Sequence, residues 1–220
     1  MSSAVIQLLV LAGIAVFLIV RLKNVLGTRE GFEKKPPLQA PETARRARTE
    51  FEVIEGGPDR DIIDHVAEGS DAAKALAAMK LVEPDFSVGE FLQGARGAYE
   101  MILMAFERGD IDQIEPFLGE DVHQTFVDVI GEREDQGLKI EANFVGVSEV
   151  TLTDASFDRD IQQAEITVRF VGELTSAVRN SAGEIVEGNP NEIKRQKDSW
   201  TFAREMGAND PNWKLVATGE

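Results

Sequence analysis

The sequence predicts an α+β protein in which helices pack on a curved antiparallel sheet, carried behind an N-terminal transmembrane helix. Three observations predict it: an unbroken apolar run over residues 4–20, apolar residues at three- and four-residue steps between 71 and 136, and two-residue alternation from 139 to 218. Helices that all precede the strands argue for an α+β arrangement, because a parallel sheet would need the two kinds of element to alternate.

The first element, residues 1–22, is an anchor. From Ala4 to Val20 the only polar residue is Gln7, and Arg21 and Lys23 follow immediately. Seventeen residues at about 1.5 Å rise make about 26 Å, and the snorkelling tail of Arg21 extends this toward a hydrocarbon core of about 30 Å. Its Val, Ile, Leu and Phe residues each contribute about 0.3 to 0.6 kcal/mol at mid-bilayer, so one Gln near the end is a minor cost. No Lys or Arg precedes the run and no polar cleavage region follows it, which favours a retained anchor over a secretory signal. Positive charge crowds the far side of the run, so the bulk of the chain is expected in the cytoplasm. The absence of cysteine fits a reducing compartment, and no Arg-rich presequence of the mitochondrial kind is present. A single-pass protein of a bacterial inner membrane is the resulting expectation.

Charge falls in three blocks. Residues 1–20 carry no charged side chain, residues 21–48 hold eight basic and three acidic residues, and residues 49–220 hold 15 basic and 36 acidic ones. The acidic body excludes a nucleic-acid binder, whose footprint is basic. Arg21, Lys23, Arg29, Lys34, Lys35, Arg45, Arg46 and Arg48 form a collar able to contact anionic lipid, each gaining about 1 kcal/mol near such a surface. Residues 23–60, with four prolines and the Gly56-Gly57 pair, read as a linker.

The folded domain is expected over residues 61–220. An Ala-rich helix spans Asp71 to Leu81, and Ser87 with Glu90 forms a capping box that opens a longer helix to about Arg108. On that helix Phe91, Ala95, Ala98, Tyr99, Ile102, Ala105 and Phe106 make one apolar stripe. Asp110 begins another turn or two, and a further helix runs from about Asp121 to Gln136, stopped by Gly137. The period then changes to two. A strand is expected at Ile140 to Val147, a second after a turn at Val150 to Phe157, a third from Ala164 to about Val178, and two more at Lys197 to Met206 and Trp213 to Thr218.

No catalytic constellation emerges. His65 beside Asp64, and His123 near Asp121 and Asp128, are chance neighbours in a chain of 39 acidic residues. The nucleophile elbow is absent. Asp154, Asp158 and Asp160 fail as a calcium loop, because Gln163 stands where Gly is needed and Arg169 where Glu is needed. No metal, cofactor or enzymatic activity is expected.

Phe91-Leu92-x-Gly94-Ala95-Arg96-x-Ala98-Tyr99, Ala105-Phe106-x-x-Gly109-Asp110 and Glu132-Arg133-Glu134 occur in that order. Val168-Arg169-Phe170, Ser199-Trp200-Thr201-Phe202-Ala203-Arg204 and Asp210-Pro211-Asn212-Trp213-Lys214-Leu215 follow them. In this order they resemble bacterial, alphaproteobacterial members of the TIM-forty-four-like family, over about residues 84–218. The resemblance implies a nuclear-transport-factor-two-like cone, in which a curved antiparallel sheet wraps helices around an apolar pocket. It also implies an adaptor with an unidentified protein partner, since mitochondrial members bind cardiolipin-rich bilayers and recruit a chaperone to the import channel. The chain lacks the presequence and long charged N-terminal region of those members, so the expected role is that of a tethered scaffold and not an import motor. Within such a cone Tyr99, Phe106, Phe144, Phe170, Trp200, Phe202 and Trp213 are candidates to line the pocket, with core packing as the competing role. Tyr99 stands out because its hydroxyl needs a partner when buried.

Overall fold

The structure, a computed structural model, describes residues 59–219. The apolar run, the linker to residue 58 and the eight collar residues from Arg21 to Arg48 lie outside the described residues. Among those described, no helix is long and apolar enough to cross a membrane.

Among the described residues four α-helices precede four strands: α1 (Arg60–Ile63), α2 (Asp71–Val82), α3 (Val88–Arg108), α4 (Glu120–Asp135), then β1 (Lys139–Asp158), β2 (Gln163–Arg179), β3 (Ile185–Glu205) and β4 (Lys214–Gly219). The strands form one antiparallel sheet in the order β1-β2-β3-β4, curved, with the helices packed on it. Two short 3-10 turns, Ile111–Gln113 and Glu115–Phe117, join α3 to α4. The core lies between helices and sheet, where Leu76, Met79, Val88, Tyr99 and Ile102 meet Ile166, Val168, Phe170 and Leu215. Each such side chain withdraws about 1.5 to 3 kcal/mol of apolar surface from water.

The helix ends follow local chemistry. Ser70 accepts from the Ala73 N–H at 3.1 Å to start α2, and Ser87 accepts from the Glu90 N–H at 3.3 Å to start α3. Gly109 ends α3 in the left-handed region at φ 80°, a conformation that costs glycine little.

Two features depart from the sequence expectation. The first is β1, which is one strand of 20 residues with no turn at its middle. Pairing with β2 shifts register between Phe144 and Gly146, between Val147 and Glu149, and between Leu152 and Asp154. Each shift inserts one residue, so the better-covered side chains run 140, 142, 144, then 147, 150, 152, then 155 and 157. A broken alternation that reads as a turn is here a series of bulges. The second is β3, which begins at Ile185 and not near Lys197. Ile185–Lys197 is exposed almost throughout and is held by its ladder to β2, so no apolar alternation marks it.

Helix α1 was not expected either. Its Asp61 carboxylate accepts from the Val88 N–H at 2.8 Å, the Gly89 N–H at 3.0 Å and the Ser87 hydroxyl at 3.1 Å, capping α3 from a distant part of the sequence. Lys80 of α2 pairs with Asp61 at 2.7 Å and with Asp59 at 2.8 Å. Burial raises the Asp61 pKa, but Lys80, the two N–H groups and Ser87 outweigh it and hold the carboxyl far below the usual range.

Candidate functional site

The seven aromatic residues singled out from the sequence separate into two groups. Six join one chain of ring contacts across the inner face of the sheet. Tyr99 stacks on Phe170 with centroids 4.5 Å apart and planes within 14°, and touches Trp200 at 4.8 Å and Phe144 at 6.2 Å. Trp200 continues to Phe202 at 6.3 Å, and Phe202 meets Phe91, which meets Trp213 at 4.7 Å. The seventh, Phe106, stands in a second cluster, 4.4 Å from Phe126 and with the Arg133 guanidinium 4.3 Å from its ring centroid.

Tyr99 is fully buried, and its hydroxyl donates to the Asp198 carboxylate at 2.5 Å. Burial, helped by that carboxylate, pushes the phenol pKa well above its ordinary value, so Tyr99 stays a neutral donor. The hydroxyl reaches Asp198 by crossing Gly172 of β2, where an added Cβ would lie 2.5 Å from the phenol oxygen. Asp198 shares its face with Trp200 and Phe202 because the three stand at two-residue steps on β3. That spacing was the available sequence signal for an inward carboxylate, and it was missed.

Among the described residues, three of the open spaces touch the aromatic candidates on the helix side of the sheet or its edge. An apolar notch of ≈ 260 Å³ lies against α3, walled by Phe91, Ala95, Ala98, Phe117, Phe202 and Trp213 and opened by the missing side chain of Gly94. A cleft of ≈ 370 Å³ beside Met101 and Met104 includes Phe144. A charged cleft of ≈ 670 Å³ lies where the C-terminal turns of α3 and α4 meet the start of β1, with Phe106, Glu107, Arg133 and Lys139 on its walls. Tyr99, Phe170 and Trp200 border none of these three clefts and fill the core, whereas Phe202 and Trp213 share the apolar notch.

Beside Trp213, Arg204 extends along the rim with its guanidinium carbon 5.9 Å from the indole. It donates to Glu83, which also accepts from the Gly207 N–H at 2.6 Å and so ties the end of α2 to the β3–β4 turn. Of the two histidines, His65 is exposed after α1 and His123 is half-buried on α4. Among the described residues, no group of three or more His, Cys, Asp or Glu is placed to hold a metal.

Comparison with known proteins adds a family. The mitochondrial import inner membrane translocase subunit TIM44 of Homo sapiens is 22% identical to this chain over 160 residues, which is 71% of this chain and 35% of that protein. The same subunit of Mus musculus is 21% identical over the same share. The chain therefore spans about a third of the length of these curated relatives. Among solved structures, the intermembrane space region of chloroplast protein ARC6 is similar at a TM-score of 0.33 with 11% identity, covering 50% of this chain and 75% of that one. Residues 72–220, more than half of the sequence, match the Tim44-like domain, and the chain belongs to that family.

Proposed function

We propose that this protein is a membrane-tethered adaptor without enzymatic activity, which presents its Tim44-like domain to a protein partner. The observation that carries the reading is the family match over residues 72–220, since the relatives found are subunits of an import translocase. In this reading the run at 4–20 anchors the chain once in a bacterial inner membrane, with the domain in the cytoplasm. The collar from Arg21 to Arg48 rests on anionic lipid and the linker lets the domain stand off. The domain is then a cone of the nuclear-transport-factor-two-like kind.

The test is crosslinking in native membranes followed by mass spectrometry of peptides joined to residues 59–219. Specific proteins recovered repeatedly at the same surface support the adaptor. Recovery of abundant contaminants alone, together with an apolar compound that co-purifies, would replace it with a second reading favoured by the notch at Phe202 and Trp213: a binding protein for a lipid or other hydrophobic ligand.

A further inference from the structure

The charged cleft beside Phe106 holds two opposite charges that the fold does not pair. Glu107, at the end of α3, is half-buried, and among the described residues its carboxylate accepts no hydrogen bond and meets no cation at ion-pair distance. Arg133 of α4 has its guanidinium against the Phe106 ring at 4.3 Å and donates to the Phe106 carbonyl at 3.4 Å, which leaves most of its five N–H donors unused. The two groups nevertheless feel each other. Burial pushes the Glu107 pKa up and Arg133 pulls it back, while burial pushes the Arg133 pKa down and Glu107 pulls it back. They stand on the same ≈ 670 Å³ cleft, near enough to interact and too far apart to bond.

Unpaired, desolvated charges are costly, so a bound group that pairs with one of them restores what folding took from water. A simple anion on Arg133 would be repelled by Glu107, and a simple cation on Glu107 by Arg133. A ligand that carries both charges meets neither penalty. The surroundings offer both signs of charge: the carbonyl ends of α3 and α4 close on the cleft and favour an ammonium, while Arg108 and Lys139 on its walls favour a carboxylate and outnumber Glu134. Ile130, Leu138 and Ile140 supply an apolar wall.

We infer that this cleft binds a small zwitterion with an apolar side group, its carboxylate on Arg133 and its ammonium on Glu107, as an aliphatic amino acid offers them. The site goes beyond the adaptor reading and shares no residue with the notch at Trp213.

The experiment is isothermal titration of the full-length chain in detergent micelles with L-leucine, N-acetyl-L-leucine, which lacks the ammonium, and L-leucinamide, which lacks the carboxylate. Leucine should bind saturably, and each blocked analogue should bind about tenfold more weakly or worse, the loss expected for one charged hydrogen bond. Glu107→Gln should weaken leucine and, by removing the repulsion, strengthen N-acetyl-L-leucine, whereas Arg133→Lys, which keeps the positive charge, should weaken leucine and leave L-leucinamide unaffected. If Arg133→Lys disturbs the circular dichroism spectrum by loosening the contact with Phe106, the Glu107→Gln comparison decides alone. N-acetyl-L-leucine or L-leucinamide binding as tightly as leucine would overturn the proposal in favour of a site for a single charge. Absence of saturable heat with leucine up to about 10 mM, weaker than any affinity a built site would have, would overturn it altogether.

Discussion

At the scale of single residues, the most constrained contact is the crossing of Tyr99 over Gly172. The phenol must pass a backbone position that carries no side chain to reach Asp198, and an alanine there would drive a methyl to 2.5 Å from the oxygen and 3.0 Å from Cε1. Gly172→Ala should destabilise the domain by about 2 kcal/mol, the usual cost of overpacking a full core. Tyr99→Phe should cost about 1 to 2 kcal/mol by leaving Asp198 Oδ2 without its donor, while Oδ1 keeps the Gln196 amide. The two changes share one oxygen and must couple. In the Tyr99→Phe background the cost of Gly172→Ala should fall by about 1 kcal/mol, readable as a double-mutant cycle in urea unfolding. Strict additivity would mean that the strand moves aside and the hydroxyl is no obstacle. Arg204 shows the same economy of contact: its side chain is 11% exposed, and Glu83 is the carboxylate that answers its charge.

At the scale of elements, the four-residue helix α1 matters out of proportion to its length because it supplies a cap that α3 cannot make from Ser87 alone. Asp61 takes two of the N–H groups that open α3, and Lys80 ties the same carboxylate to α2, so three helices meet at one charged group. Its folded pKa lies below the unfolded value, which fixes the sign of the pH dependence. The contribution is complete above the ordinary carboxylate value of 3.8 and disappears as pH falls through the lower folded value. Asp61→Ala should therefore cost about 1 to 2 kcal/mol at pH 7, with the gap from the unmodified protein closing as pH drops below about 4 in thermal melts. A gap independent of pH down to 2 would mean that packing of α1, and not its charge, stabilises the junction. In the sheet, the bulges of β1 do comparable work by keeping its inner face in phase over 20 residues, and Arg96 of α3 donates to the Val147 carbonyl at 3.0 Å beside one of them.

At the scale of the whole molecule, the decisive property is the separation of charge along the chain, basic over residues 21–48 and strongly acidic beyond. An anionic bilayer attracts the first and repels the second, which gives the adaptor reading its expected orientation. A peptide of residues 21–48 should bind vesicles containing anionic lipid, and replacing Arg45, Arg46 and Arg48 by Gln should weaken it by up to about 3 kcal/mol at low salt. The difference should shrink in 0.5 M salt, where the Debye length is only about 4 Å. Equal partitioning of both peptides would confine lipid contact to the residues nearer the apolar run.

Neighbouring residues alone specify the α+β class, the ends of α2 and α3, and the single long run of β2. Those features are written by residues a few positions apart: a cap three residues before its donor, a stripe at helical spacing, an alternation of two. Relations between distant residues come instead from the packing of one element on another. Asp61 reaching α3, the continuity of β1 through its bulges, the exposed first half of β3 and the meeting of Glu107 with Arg133 each depend on packing between elements, which leaves no periodic trace. The aromatic candidates show the boundary well, for their inward direction was legible from spacing. That Tyr99, Phe170 and Trp200 fill space while Phe202 and Trp213 border it was settled by how closely α3 lies on the sheet.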